Sequence, residues 1–156
     1  MMATFAATGL RFDAVRTLAL ETYDRVSGEF KVHEKGDVER SARLSPKAHR
    51  FMREYLVRRP RNASSGQLWV TDRGTPLSYW GGHMVVRRAR ERSGIARLHA
   101  HLFRHGMAQY AADKGADIGT IQTLLGHKTA AMARRYAGRA LDRQGARLMV
   151  QYSPVG

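Results

Sequence analysis

The chain has 156 residues, enough for one domain with its own core, and hydrophobic residues make up an ordinary 43% of it. It has no cysteine, which excludes disulfides, thiolate metal sites and cysteine nucleophiles and is compatible with a reducing cytoplasm. No apolar run approaches the ~20 residues that cross a bilayer, and the N-terminal residues lack the basic start of a signal peptide. We therefore expect a cytoplasmic protein without a membrane segment.

The charge of the chain is strongly positive. It carries 27 Lys and Arg against 13 Asp and Glu, which gives a formal net charge of +14. Such a balance favours a polyanionic partner, most simply nucleic acid, although a basic protein without such a partner or one that binds anionic lipid is the alternative. Arginine far outnumbers lysine, and guanidinium groups suit bidentate contacts to phosphate, but a GC-rich genome would produce the same bias.

The first part of the chain predicts a turn, a helix and a small sheet. Residues 1–10 are apolar and lead into the sequence T-G-L-R, after which a helix should begin near Asp13 and turn Val15 inward. Residues 22–45 lose the helical periodicity, and short strand-like segments flank residues 35–37, K-G-D. Because glycine accepts a positive φ, this tripeptide is suited to a hairpin tip.

A helix is predicted after the sheet, followed by a short strand. Ser45 and Pro46 occupy favourable N-cap and first-turn positions, and Pro60 prevents the helix from continuing. Phe51 should lie on the apolar face of this helix. Residues 68–70, L-W-V, are typical of a brief apolar strand.

A second long helix is predicted next. Ser78 is suited to cap it and Gly94 to end it. Its apolar side should include Met84, beneath a basic face that includes Arg87 and Arg88. This basic face could follow a DNA backbone or simply face solvent, since a run of charge decides little by itself.

Side chains that could take part in catalysis are concentrated between residues 101 and 136. His101, Arg104 and His105 should share one face of a helix, because residues three and four apart are neighbours there. One short helix could thereby present a guanidinium and an imidazole to the same anion. Taken singly, each of these residues is more often part of ordinary packing.

Two further short helices complete this stretch. Asp117 is suited to cap an apolar helix and Gly126 to end it. His127 follows directly, on a turn from which its side chain can point into a site. Thr129 can cap the next helix, which carries Tyr136. A phenol, imidazoles and an arginine are the groups that a nucleophilic attack on a phosphodiester would use.

Three spaced elements carry a resemblance to a known family. The H-x-x-R at 101–104, the L-L-G-H at 124–127 and a tyrosine nine residues after that histidine resemble the catalytic domain of the tyrosine recombinases, also called phage-type integrases. The resemblance implies an α+β, mainly α fold, with a small antiparallel sheet near the N-terminus. It also implies that residues 1–156 form a single catalytic domain, without the family's N-terminal core-binding domain and with a truncated first helix.

The resemblance implies the main catalytic roles. Arg11 matches the family's first catalytic arginine and, with Arg104, would clamp the non-bridging oxygens of the scissile phosphate. Tyr136 would attack the phosphorus and leave a 3′-phosphotyrosyl link. Lys35 matches the family's hairpin lysine and would protonate the departing 5′ oxygen.

Two histidines complete the implied catalytic set. His101 would accept or share the phenolic proton, and His127 would donate a hydrogen bond to the phosphate. The family usually has a carboxylate three residues after its first arginine, but this chain has Ala14 there. Asp13 comes one place too early and should point elsewhere on the helix.

The remaining predicted contacts are to DNA, and their shared property is a positive or hydrogen-bonding side chain. They are Arg40, His105, Arg87, Arg88, Lys128 and Arg134. The implied mechanism needs neither a metal ion nor a small-molecule cofactor. The implied partners are double-stranded DNA and other protomers on it, in a dimer or tetramer, and no membrane is involved.

Three other interpretations stay open. The first is a zinc site at His99, His101 and His105, although an H-E-x-x-H glutamate is missing. The second is a non-catalytic DNA-binding module, since residues 117–136 have helix–turn–helix character and Tyr136 would then be a packing residue. The third is an activity like that of type IB topoisomerases, which use similar chemistry to relax supercoils.

Overall fold

The computed structural model describes most of the chain, namely residues 1–34, 38–63, 65–126 and 129–136 with residues 138 and 142. The chain divides into two compact units, residues 1–104 and residues 105–156. Within the described part, no helix is both long and apolar enough to cross a membrane.

Among the described residues, helices dominate both units, and one two-stranded sheet belongs to the first. The elements are α1 (Met2–Thr8), α2 (Phe12–Arg16), β1 (Glu29–Glu34), β2 (Val38–Arg43), α3 (Pro46–Arg58), α4 (Tyr79–Ser93), α5 (Ala100–Asp113) and α6 (Ile118–Leu125). Residues 130–136 are also helical and are called α7. The two strands are antiparallel. The predicted α+β, mainly α class with a small antiparallel sheet near the N-terminus is confirmed.

A sharp turn joins the first two helices. Gly9 ends α1 with φ 60° and ψ 17°, and its N–H donates to the carbonyl of Phe5 at 2.9 Å. This left-handed conformation favours glycine, which has no Cβ to clash. Arg11 follows with an extended backbone as the N-cap of α2, so the T-G-L-R sequence forms the predicted turn.

The hairpin pairs β1 with β2 in a register that sets Val32 opposite Arg40. Phe30 and Val32 are both 2% exposed, because alternate side chains of a strand point to the same face of the sheet. Lys31 lies on the other face, where its Nζ is 2.9 Å from a carboxylate oxygen of Glu39. The predicted strands are confirmed, while the hairpin tip at residues 35–37 lies outside the described residues.

Helix α3 begins as predicted. The hydroxyl of Ser45 accepts a hydrogen bond from the backbone N–H of Ala48 at 3.4 Å, and Pro46 occupies the first turn. Ala48 and Met52 are buried one turn apart and pack into the core. The prediction for Phe51 is wrong, since its side chain is 42% exposed. Its position lies to one side of the row that α3 buries.

Helix α4 is also bounded by the predicted residues, with Ser78 as the N-cap and Gly94, at φ 68°, as the left-handed C-cap. Its buried residues are Gly82 and Val86, which are one helical turn apart. Met84 lies on the other side and is 42% exposed, so the prediction that it faces inward is wrong.

The segment predicted as a strand near residue 69 is instead a connection with isolated bridges. Gln67 forms an antiparallel bridge with Ala19, and Val70 forms one with Pro76. Trp69 is only 4% exposed, and its indole N–H donates to the carbonyl of Val15 at 2.7 Å. This bond satisfies a buried carbonyl in the core of the first unit.

Trp69→Phe should therefore destabilise the first unit. The substitution removes the indole donor and leaves the Val15 carbonyl with the longer bond from the Leu18 N–H, at 3.4 Å. A lost hydrogen bond of this kind costs about 0.5–1.5 kcal/mol, and the smaller ring adds lost packing. Chemical denaturation should show this loss in the free energy of unfolding. Trp80, whose side chain is 76% exposed, provides the matched control, and Trp80→Phe should stay within about 0.5 kcal/mol of the wild type. Equal effects of the two substitutions would contradict this account of the core.

The second unit is organised around α6. Asp117 caps this helix by accepting hydrogen bonds from the Thr120 backbone N–H at 2.9 Å and from the Thr120 hydroxyl at 2.7 Å. Gly126 ends the helix at φ 59°, as predicted. Ile121 and Leu125 are fully buried and form a small cluster with alanines of α5 and α7.

Asp117→Ala should lower the melting temperature of the second unit in a pH-dependent way. The hydrogen bonds from Thr120, that of its side chain first, hold the pKa of the Asp117 carboxyl below its usual 3.8. A lowered pKa stabilises the fold above the unfolded pKa, and this contribution is lost as the pH falls through the folded pKa. The difference in melting temperature should thus be constant near neutrality and shrink below pH 3.8. Asp72→Ala, at an exposed turn, is the control.

Candidate functional site

The turn at Gly9 brings together two residues that are far apart in the chain. Arg104, on α5, is only 3% exposed, and its Nη1 donates to the carbonyl of Gly9 at 3.1 Å. Arg11 comes two residues after Gly9, at the start of α2. The two arginines predicted to hold phosphate therefore meet at the same turn. Burying a guanidinium is costly unless its N–H groups find acceptors, so this placement suggests a use for the charge.

A cavity of about 330 Å³ opens beside this turn. Its lining residues are Arg11, Phe12, Asp13, Ala14, Thr17, His33 and His101. His101 and Arg11, two of the predicted site residues, thus line the same cavity. His33 is a residue that the motifs did not reveal. The available signal was its position near the hairpin tip, on the strand face opposite to Val32.

Positive charge is concentrated near Arg11. Arg40 is partly buried on β2, and burial lowers the pKa of its guanidinium, with the nearby charge of Arg11 lowering it further. Two guanidinium groups that affect each other in this way create a positive potential that an anion would relieve. Arg40 thus lies close enough to Arg11 for their charges to interact, and its contact to DNA stays a prediction.

The carboxylate of Asp13, two residues after Arg11, forms an ion pair with Arg16. Asp13 Oδ1 lies 2.9 Å from Nε of Arg16, one turn along α2, and Arg16 also donates to the carbonyl of Leu77 at 3.3 Å. Ala14, where the family usually has a carboxylate, is buried. Asp13 is thus engaged with Arg16, its neighbour on the same helix.

Tyr136 lies in the second unit and contacts a histidine there. Its hydroxyl is within hydrogen-bonding reach of His105 Nδ1, and the two ring centroids are 5.8 Å apart. Tyr136 is half-buried against the apolar cluster of α5, α6 and α7, which restricts where its ring can point. The nucleophile predicted from the spacing therefore has an imidazole beside its reacting oxygen.

The other predicted DNA contacts fall into two groups. Arg87 and Arg88 are exposed on α4, where Arg87 Nε lies 2.9 Å from Glu91, and Arg134 is exposed on α7. The remaining predicted site residues lie outside the described residues. These are Lys35, His127 and Lys128.

The histidines considered for zinc do not form a metal site in the part of the chain that the structure describes. No group of three or more His, Cys, Asp or Glu side chains there could hold a metal ion. His99 Nδ1 instead lies 2.6 Å from the backbone carbonyl of Arg97.

Known proteins share both the sequence pattern and the fold. Tyrosine recombinase XerC of Lactobacillus delbrueckii subsp. bulgaricus is 29% identical over 142 residues, which cover 87% of this chain and 48% of that protein. Tyrosine recombinase XerD of Corynebacterium glutamicum is 30% identical over 139 residues, covering 86% and 46%. The chain thus spans about half the length of the curated relatives it matches.

Two solved structures show the same fold. XerA recombinase superposes with a TM-score of 0.79 at 24% identity, covering 99% of this chain and 57% of that one. XerH recombinase, in a post-cleavage complex with its palindromic difH substrate, gives a TM-score of 0.78 at 21% identity, covering 96% and 44%. An exclusively DNA-binding module is not favoured, since the named relatives are recombinases. The model of the phage integrase family matches residues 1–142, and the chain belongs to that family.

Proposed function

We propose that this chain is the catalytic domain of a site-specific DNA recombinase, which breaks and rejoins DNA strands through a 3′-phosphotyrosyl link to Tyr136. The observation that carries the proposal is the buried bond from Arg104 to the Gly9 carbonyl. It fixes one guanidinium at the turn that presents Arg11, and it does so in a member of the phage integrase family.

The arginines act on the scissile phosphate. Arg11 and Arg104 bind its non-bridging oxygens, on which negative charge grows as the phosphorus becomes five-coordinate. Donors that are already in place stabilise this charge without reorganisation, and a buried guanidinium is such a donor. Arg40 adds positive potential beside Arg11, which also attracts the DNA backbone.

The covalent step exchanges one ester for another. The hydroxyl oxygen of Tyr136 forms a bond to phosphorus while the bond from phosphorus to the 5′ oxygen breaks. Lys35 gives a proton to that departing oxygen, His101 accepts or shares the phenolic proton of Tyr136, and His127 donates a hydrogen bond to the phosphate. The phosphotyrosyl ester keeps the energy of the phosphodiester, so a 5′ hydroxyl from another strand can reseal the link.

The partners follow from this chemistry. Duplex DNA is the substrate, and strand exchange requires further protomers on the same DNA, in a dimer or tetramer. The formal charge of +14 supports such a partner, as does the DNA in the XerH complex. Binding should weaken steeply with added salt, because each phosphate contact releases counterions. A protein that acts on chromosomal or phage DNA in this way works in the cytoplasm.

A nicked suicide substrate tests the proposal. Cleavage next to the nick releases a short fragment that carries the new 5′ hydroxyl. This fragment diffuses away, so the covalent intermediate cannot be resealed. The wild-type chain should form a denaturation-resistant adduct with the 3′-phosphate strand, and proteolysis with mass spectrometry should locate the nucleotide on Tyr136. DNA binding without any adduct, over a panel of recombination sites, would count against the proposal.

A further inference from the structure

The first turns of α4 expose an aromatic surface that the proposed chemistry does not use. Trp80 is 76% exposed, Tyr79 is 48% exposed and Met84, one turn after Trp80, is 42% exposed. His83 is exposed beside them. We call these four side chains the aromatic patch. Contiguous exposed apolar side chains mark interaction surfaces, and tryptophan, tyrosine and methionine are enriched there.

Stacking contacts hold the aromatic patch in place. The imidazole of His83 stacks on the Phe12 ring with 4.1 Å between their centroids, and the Tyr79 ring lies 4.5 Å from the same imidazole. The Trp80 ring meets the Tyr79 ring edge-on at 5.7 Å. Phe12 can approach α4 this closely because Gly82 has no Cβ. A surface that is ordered before binding loses little conformational entropy when a partner covers it.

The charge of the same helix favours DNA over a protein as the partner. Residues 87–92 contain four arginines and one glutamate, which gives this segment a net charge of +3. Arg88 is exposed and follows Trp80 by eight residues, or about 12 Å along a helix that rises about 1.5 Å per residue. The major groove of B-DNA is about 8.5 Å deep. With Trp80 at the base edges, Arg88 would therefore lie near the phosphates at the rim of the groove.

We propose that the aromatic patch contacts the C5-methyl groups of thymines in the major groove, with Trp80 as the main contact. This inference rests on the proposed function, which makes duplex DNA the partner. Among the four bases only thymine presents a methyl group in this groove, and apolar side chains recognise it there. Phe12, on which His83 stacks, also lines the cavity beside Arg11. The thymines concerned thus lie close to the scissile phosphate.

Selection from random duplexes tests which chemical group is recognised. Duplexes with a randomised central segment are prepared once with thymine and once with uracil, which lacks the methyl group. The wild-type chain should enrich thymine at defined positions of the first library and should show no such enrichment of uracil in the second. Covering one methyl group changes affinity about fourfold. Replacing the selected thymine by uracil should weaken binding by about that factor.

Substitutions at Trp80 connect the methyl group to this side chain. Trp80→Ala should bind the thymine and uracil forms of the selected duplex equally. Trp80→Phe keeps an apolar ring and should keep most of the preference for thymine. Val57, an apolar residue on α3 that is 87% exposed, provides the matched control, and Val57→Ala should show the wild-type preference. A full preference for thymine in Trp80→Ala would overturn the inference.

Fluorescence locates the contact independently of the DNA sequence. The chain has two tryptophans, and Trp69 is only 4% exposed, so quenching by acrylamide reports mainly on Trp80. Bound duplex should reduce this quenching in the wild type. Trp80→Phe should show only the weak quenching of Trp69, with and without DNA. Unchanged quenching in a DNA-bound wild-type chain would show that DNA does not cover Trp80, contrary to the proposal.

Binding and cleavage are measured separately, so the two proposals can fail separately. If the wild type forms the Tyr136 adduct without a thymine preference that depends on Trp80, the patch does not recognise thymine and the proposed function stands. If that preference is present but no selected duplex yields an adduct, the proposed function fails and the binding surface is supported. If Trp80→Ala changes only the self-association of DNA-free chain in sedimentation, the patch is an interface between copies and does not recognise thymine.

Discussion

Tyr136→Phe is expected to form no covalent adduct with nicked DNA while binding that DNA as tightly as the wild type. The substitution removes one hydroxyl and leaves the ring that packs on the apolar cluster of the second unit. Without the hydroxyl oxygen, no bond to phosphorus can form at this residue. The lost hydrogen bond to His105 is partly exposed, so stability should fall by no more than about 1 kcal/mol. Denaturing gels and a binding titration measure the two effects.

Tyr110 provides the matched control for that experiment. It lies on α5, in the same unit, and is 63% exposed, so its hydroxyl is accessible to DNA and to solvent. Tyr110→Phe should form the adduct at the wild-type rate. An adduct formed by Tyr136→Phe would place the nucleophile elsewhere, and a loss with Tyr110→Phe would mean that Tyr136 is not the reacting tyrosine.

Substitutions of Arg104 are expected to separate catalysis from stability. Arg104→Lys keeps a positive charge but loses the planar fork that can contact both the Gly9 carbonyl and a phosphate oxygen. Removing such a donor from the transition state slows cleavage about 10²–10³-fold. Arg104→Met should be slower still. The unfolding free energy of the Arg104→Met variant should fall by less than about 2 kcal/mol, because the cost of burying a charge disappears with the charge.

The comparison with an exposed arginine tests whether burial matters. Arg88 is exposed on α4, and Arg88→Lys should change the cleavage rate less than about threefold, since a lysine can replace a solvated phosphate contact. Single-turnover cleavage and chemical denaturation are measured on the same preparations. A wild-type cleavage rate for Arg104→Lys would contradict the role given to the buried guanidinium.

Local signals made the element boundaries predictable. The caps at Ser45, Ser78 and Asp117 each accept a hydrogen bond from an N–H within three residues, so the sequence that specifies them is contiguous. Gly94 and Gly126 end their helices for an equally local reason, a positive φ that suits glycine. Such features depend little on the rest of the fold.

The buried faces were harder to predict, because they depend on neighbouring elements. Gly82 determines which side of α4 is buried, because a Cβ at this position would come within 2.8 Å of the Phe12 ring. This close approach turns Gly82 and Val86 inward and leaves Met84 exposed. Hydropathy favours a methionine over a glycine as a core residue, so periodicity alone selected the wrong side.

The site was predictable only in part, for a related reason. The motifs and the family resemblance predicted Arg11, Arg104 and Tyr136 as site residues, but they could not show that Arg104 contacts the Gly9 carbonyl across 95 positions. The same spacing left His105 among the DNA contacts, whereas its ring lies at the Tyr136 hydroxyl. Such contacts arise when separate helices pack together, and no single stretch of sequence contains them.

The bond between Arg104 and Gly9 also orders events during synthesis. The Gly9 acceptor is translated before both strands and α4, whereas its donor on α5 emerges from the ribosome only after them. This contact is therefore among the last features of the first unit to be assembled. A truncated translation product that stops before α5 contains Arg11 but lacks Arg104.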